Sequence, residues 1–200
     1  MRAVPFTLLS LNTSPARPLD INGRTVLSGI GKRSVDGPRA VARLGIEGDE
    51  QADLTVHGGL SKAVYAYPHE HYPFWQTVRA QLGVADWDER LPCGALGENL
   101  TLSGLLESDV WIGDLLRFPD CTLAVSEPRF PCGKFNAVMG FKQAARAMVA
   151  QAWCGFYLAV RIEGTIRGGQ AFEVATRHVS MRNASAACCA ASAGSPPRWA

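Results

Sequence analysis

The stretch SEPRFPCGKFN, residues 126–136, sets one thiol, Cys132, directly behind Pro131 and between two cations, Arg129 and Lys134. A thiolate, not a thiol, is the nucleophile and metal ligand, and nearby positive charge lowers a cysteine pKa. Pro128, Pro131 and Gly133 keep the segment out of a regular helix or a central strand, so it reads as a stiff loop presenting Cys132. Two readings stand side by side. The thiolate is held for chemistry in a cationic field, or the cysteine is structural and its charged neighbours point outward.

Three other clusters carry groups that such a thiol could work with. In LGIEGDEQADLTVHGGLSKAVYAY (44–67), His57 precedes Gly58 and Gly59, and Lys62 follows at the start of a β-like run. A glycine turn with accessible N–H groups and a lysine can form an anion-binding nest. His57 also fits a satisfied structural histidine, while His69 and His71, near an expected helix start, read as surface residues. In GALGENLTLSGLLESDVWIGDLLRF (94–118), Glu98 and Asn99 follow Gly97 at the mouth of an expected strand, as binding groups or as plain turn chemistry. VLSGIGKRSV (26–35) places Ser28 and Lys32 in a Gly-flanked loop, facing a ligand or only solvent. No GxGxxG or Walker A pattern occurs, so dinucleotide and P-loop readings have no support, and pyridoxal phosphate is not expected.

The elements that must position these groups are mostly strands. Short β-branched or alternating runs, RTVLSGI, RAVARLGIEGD, KAVYAY, DLLRFPDCTLAVSEP and GFYLAVRI, are separated by frequent Gly-rich turns. That spacing predicts a mainly β sandwich or barrel with a few helices. One helix is predicted over 69–83, with Phe74, Val78 and Leu82 on one face and Pro73 in the first turn. A second is predicted over 137–153, with Val138, Phe141, Ala145, Met148, Val149 and Trp153 at helical intervals. Residues 155–174 read as a closing hairpin. Residues 1–20 look irregular, and the Ala/Ser-rich stretch after about 175 reads as a frayed tail.

Composition narrows the function classes. Apolar residues make up 47% of the 200, and formal net charge is +2, so there is no broad electrostatic footprint for a nucleic acid polymer. No run approaches the roughly 18 apolar residues of a membrane span, and Pro5 breaks the short N-terminal apolar patch, which argues against a secretory signal. A cytoplasmic protein is expected. The six cysteines form no CxxC pair and no zinc-type spacing with histidine. They read as unrelated thiols, with no resolving partner placed near Cys132 for peroxidase chemistry.

Taken in order, SGIGKRSV, GIEGDEQADLTVHGGLSKAVYAYPHEHYPFW, LGENLTLSGLLESDVWIGDLLRF and VSEPRFPCGKFN resemble the YiiM-like branch of the MOSC-domain proteins, over roughly residues 26–175. MOSC domains are named for the C-terminal part of molybdenum cofactor sulfurase. The resemblance implies a MOSC-type β-barrel over 26–175, an irregular or edge segment over 1–25, and a short atypical tail over 176–200 where the family's three-helix domain is not evident. It also implies a molybdopterin-type molybdenum cofactor, with Cys132 of the PRxPC segment as the expected molybdenum ligand. The implied reaction is reduction of N-hydroxylated compounds such as 6-hydroxylaminopurine, with electrons from a separate reductase. A hydroxyl–histidine–cysteine set then falls on Ser28, His57 and Cys132, with serine where threonine is usual. Lys32, Lys62 and Arg129 become candidates for the pterin's phosphate and ring oxygens, with Glu98, Asn99 and Asn136 as further cofactor-binding positions. A non-enzymatic cofactor or sulfur carrier using Cys132 is the alternative, and a homodimer accords with the family.

Overall fold

Strand β7 (Val64–Pro68) is buried along its whole length, so period-two alternation there divides two apolar environments and not core from water. Val64 and Ala66 face one core, Tyr65 and Tyr67 another. The rest of the fold is built by filling both. The computed structural model describes residues 6–52 and 58–175. In chain order the elements are β1 (Phe6–Thr13), β2 (Arg17–Ile21), β3 (Arg24–Ser28), β4 (Arg33–Ser34), β5 (Arg39–Ala42), β6 (Gly45–Ile46) and β7. Then come α1 (Tyr72–Gln81), β8 (Leu100–Ser103), β9 (Leu115–Arg117), β10 (Thr122–Pro128), α2 (Gly133–Met139) and α3 (Ala144–Ala150). The last are β11 (Phe156–Ile162), β12 (Gly164–Ile166) and β13 (Ala171–Ala175).

Seven strands close into a barrel in the order β13, β9, β10, β11, β7, β8, β1, with β1 pairing back onto β13. A closed ring with an odd number of strands cannot alternate direction all the way round. One parallel pair is required, and it is β7–β8. Parallel neighbours need a long crossover, and residues 69–99, including α1, supply it. The chain therefore enters β8 from above the barrel's end, which is why Glu98 and Asn99 sit at that rim. The barrel interior holds Leu8, Leu11, Leu100, Leu123, Phe156 and Leu158. Outside it, Tyr67, Tyr72, Trp75, Phe135, Met139 and Met148 pack α1, α2 and α3 against the β7 wall. Each large side chain fully buried there contributes about 1.5–3 kcal/mol, and the Trp75 indole N–H donates to the Tyr67 hydroxyl at 2.8 Å.

Several expectations are corrected. Residues 6–13, read as irregular, form β1, a fully integrated barrel strand. Residues 155–174 are not a hairpin: β11 pairs with β10 and β7, while β13 closes the barrel between β9 and β1. The helix expected over 137–153 is two, α2 and α3, parted at Gly140, whose φ of 83° ends α2 with a left-handed cap. In α1 the buried face is Tyr72, Trp75 and Ala80, and Leu82 is exposed. His71 is buried, not on the surface. The 176–200 tail lies outside the described residues.

Among the described residues, strands β2 and β3 pair only with each other. Their turn is Asn22-Gly23, with φ of 55° and 78°, the positive values that a two-residue hairpin turn favours. A lone two-stranded ribbon is marginal without support. Amides in residues 17–28 are therefore expected to exchange at least about tenfold faster than those of β10 and β11, as read by peptide-resolved hydrogen–deuterium exchange. Equal protection would mean that the ribbon is locked to the barrel.

Candidate functional site

The thiol loop owes its direction to the end of β10. Pairing between β10 and β11 shifts register between Val125 and Glu127, leaving Ser126 as the extra residue. A bulge of this kind bends a strand and re-aims the residues beyond it. Pro128 then closes the strand opposite Phe156. Pro131 disfavours helical backbone at the residue before it, and Cys132, extended at φ −114°, ψ 179°, precedes α2. The result places Cys132, half-buried, in the wall of a cleft at the end of the barrel.

That cleft encloses about 640 Å³ including its open mouth. It is walled by Ser28, Gly29 and Ile30 from the end of the ribbon, Asp49–Ala52, Gly58 and Lys62, and Gly97 and Asn99 from the crossover. Tyr65 and Tyr157 come from neighbouring strands, and Arg129, Cys132 and Lys134 from the thiol loop. Close packing shapes this wall. A Cβ on Gly29 would lie 2.2 Å from the Glu50 carbonyl oxygen, and one on Gly97 would lie 2.8 Å from Ile30.

Charge is distributed unevenly among the four cations. The Lys32 ammonium meets Asp49, both side chains buried. Burial lowers the Lys32 pKa, against the attraction of Asp49 and Glu98. Lys62 lies 3.8 Å from Glu127, and the Lys134 ammonium donates to the Leu27 carbonyl at 2.9 Å. Arg129 is different. It is 4% exposed, and the ion pairs among the described residues do not include it. Its guanidinium lies over the Tyr65 ring at 5.0 Å and the Phe135 ring at 5.2 Å, and it meets the Met148 sulfur at 3.2 Å. Burial opposes its charge, but Tyr65, Tyr157, Cys132 and Cys154 together hold its pKa above the ordinary value. Burial likewise raises Tyr65 and Tyr157 above the usual phenol value, against the pull of Arg129, so both remain hydroxyl donors at neutral pH.

Of the residues singled out in the sequence, the structure brings Ser28, Lys32, Lys62, Asn99, Arg129 and Cys132 to one cleft. The Ser28 hydroxyl accepts the Ile30 N–H at 3.3 Å, and Asn99 bridges Tyr65 N–H at 3.1 Å and the Asn12 carbonyl at 3.2 Å. Two do not reach it. Glu98 is fully buried behind the wall, accepting from Tyr72, Thr101, Gly94 and Leu96. Asn136 accepts the Ala145 N–H at 2.8 Å, tying α2 to α3. His57 lies outside the described residues. Sequence reasoning missed Tyr65 and Tyr157, because strand alternation does not say which face meets a cleft, and Asp49, because a loop position does not report its pairing with Lys32. The other described thiols are unsuited: burial raises Cys93 and pushes Cys121 up to about 12, and Cys154 is buried with its thiol on the Met148 carbonyl. No cluster of three or more His, Cys, Asp or Glu able to hold a bare metal ion occurs among the described residues. No helix among them is long and apolar enough to cross a membrane.

Comparison with known proteins agrees with this architecture. The MOSC domain model matches residues 53–173. The chain is 37% identical over 177 residues to the uncharacterized protein YflK of Bacillus subtilis, covering 88% of this chain and 76% of that protein. It is also 37% identical over 153 residues to protein YiiM of Escherichia coli, covering 75% of this chain and 65% of that one. A protein named a reductase from Gibberella moniliformis is 32% identical over 156 residues, which cover 78% of this chain but 27% of the fungal protein. The crystal structure of YiiM from Geobacillus stearothermophilus superposes with a TM-score of 0.72 at 30% identity, covering 94% of this chain and 84% of that one. Barrel and sequence agree: the chain belongs to the MOSC domain family and is YiiM-like within it.

Proposed function

We propose that the cleft holds a molybdenum cofactor through the thiolate of Cys132, and that the chain reduces N-hydroxylated compounds such as 6-hydroxylaminopurine to the amine. The observation that carries this reading is the pairing, in one wall, of a half-buried thiol with the buried Arg129 guanidinium, which has no carboxylate partner among the described residues. A soft sulfur donor suits a metal that brings its remaining ligands with it. A buried cation facing a cleft suits the anionic groups of a pterin phosphate. The residues present therefore fit the group.

When bound, the cofactor supplies the two electrons that cleave the N–O bond. The chain's own residues do the rest. Arg129, with Lys62 and Lys134 at the mouth, neutralises the phosphate. Tyr157 and Tyr65, held protonated, donate hydrogen bonds to cofactor or substrate oxygens, and Ser28 with Asn99 lines the opposite wall. His57 precedes Gly58 of the wall and is assigned proton donation to the departing hydroxyl. Lys32 is committed to Asp49, so its part is to hold the loop. The fungal relative's name is consistent with reduction. Electrons come from a separate reductase, in a cytoplasmic setting that keeps thiols reduced.

The test is elemental analysis of wild type and Cys132→Ala, both expressed in a host that makes the cofactor. Molybdenum should accompany the wild type and fall at least about tenfold in the variant, since even outer-shell changes cost that much. No metal in either, from a host that loads a control molybdoenzyme, would overturn the reductase reading. Labile sulfur on Cys132 would then favour the carrier.

A further inference from the structure

The turn between α3 and β11 is strained, with Ala152, Cys154 and Gly155 buried and Trp153 half-buried. Ala152 and Gly155 both lie in the left-handed region, with φ of 55° and 67°, which costs free energy at a non-glycine residue and needs outside support. There is no slack: a Cβ on Gly155 would lie 2.4 Å from the Ala66 carbonyl oxygen. The support comes from Glu107, a buried residue on a short turn between β8 and β9. One carboxylate oxygen accepts the Gly155 N–H at 2.8 Å. The other meets His71 Nε2, also at 2.8 Å. The His71 ring stacks on Trp153, centroids 4.5 Å apart and 11° from parallel. Carboxylate and imidazole thus grip the turn from two sides.

The same turn holds two residues of the cleft. The Cys154 carbonyl accepts the Tyr65 hydroxyl at 2.8 Å, and the Gly155 carbonyl accepts the Arg129 backbone N–H at 3.3 Å. Tyr65 and Arg129 also touch each other, guanidinium over ring. Neither Glu107 nor His71 lines the cleft, yet an unbroken chain of short contacts runs from them to its buried cation.

We propose that Glu107, oriented by His71, is the positioning residue of the cationic wall: it fixes the 152–155 turn, which fixes Arg129 and Tyr65 and so sets affinity for a phosphate-class anion. This rests on the reading that the cleft takes such an anion. The physical basis is that an Arg–phosphate contact is directional, and groups held a fraction of an ångström loose lose much of their effect. Without Glu107 the Gly155 N–H is buried with no acceptor and His71 loses its partner, so the turn relaxes and carries Arg129 with it.

The experiment measures pyrophosphate binding calorimetrically to the full chain, produced in a host that cannot make the cofactor. Arg129→Met should weaken binding about tenfold or more, and Glu107→Ala about fivefold. In the Arg129→Met background, Glu107→Ala should add nothing, because it acts through that arginine. Glu107→Gln, which keeps an acceptor for Gly155 and a donor for His71, should restore affinity to within about twofold. Losses that multiply in the double variant, or an unchanged affinity in Glu107→Ala when Arg129→Met is weakened, overturn the positioning role but leave the anion site standing. An Arg129→Met protein that binds as wild type overturns both. Should Glu107→Ala not fold, His71→Phe keeps the stack on Trp153 but loses the contact to Glu107. It should weaken binding about twofold to threefold, again only when Arg129 is present.

Discussion

Lys32→Met is expected to lower stability by about 3–5 kcal/mol, although it exchanges a buried charge for an apolar side chain of similar length. The loss comes from Asp49, which is buried against Lys32 and also accepts the Ser14 N–H at 2.9 Å. Stripped of the ammonium, its buried carboxylate is left without its counter-charge. Lys32→Met combined with Asp49→Asn should recover most of the loss, since the amide oxygen still accepts from Ser14 and no charge remains. Urea midpoints of the three proteins decide this, and a double variant no better than the single would show that the ammonium supports the wall in another way. The pH dependence has a definite sign. Burial lowers the Lys32 pKa from 10.5, so between the lowered value and 10.5 the unfolded chain binds more protons than the native one. Over that window this group makes stability rise with pH, and the rise should be missing from Lys32→Met.

Glu98→Ala should be comparably severe, at about 4 kcal/mol or more, with four donors losing one acceptor group. The Tyr72 and Thr101 hydroxyls and the Gly94 and Leu96 N–H groups all point at this carboxylate, and each buried donor left unmade costs about 1–3 kcal/mol. Burial pushes the carboxyl pKa up, against the pull of those donors. Glu98→Gln keeps one acceptor oxygen but turns an NH₂ toward donors, so a smaller loss of about 1–3 kcal/mol is expected. Because the same carboxylate pins residues 94–97, Glu98→Ala should also loosen Gly97 and Asn99 in the cleft wall. Increased exchange at those amides would register that. A Glu98→Ala protein as stable as wild type would mean that water replaces all four contacts.

The sequence carried much of the scaffold because the signals were local. Alternating runs bounded by glycine turns gave the strands β3, β5, β7, β9, β10 and β11. The prolines around Cys132 gave a loop, since their effect on the backbone does not wait for tertiary contacts. Where environment decides, the pattern misled. β1 mixes apolar and polar residues without alternation because it is buried along most of its length between β8 and β13, Ser10, Asn12 and Thr13 included. The Phe74–Val78–Leu82 stripe has the right period for a core face, but α1 packs on the β7 tyrosines mainly through Tyr72 and Trp75, with Phe74 partly buried beside them and Leu82 exposed. Helical periodicity ran through Gly140 because apolar spacing continued across it, while a positive-φ cap is a backbone event that such spacing does not report.

Chemistry divides along the same line. Residue types and order by themselves determined the family resemblance, the mainly β class and the loop that presents Cys132. Only the tertiary structure decided that Arg129 is buried over two rings, that Lys32 is spent on Asp49, that Glu98 and Asn136 serve the scaffold, and that His71 meets Glu107 across 36 residues of chain. The reason is physical. A turn or an alternation is set by neighbours in sequence, whereas burial, charge pairing and a cleft's field are set by groups that only closure of the barrel brings together.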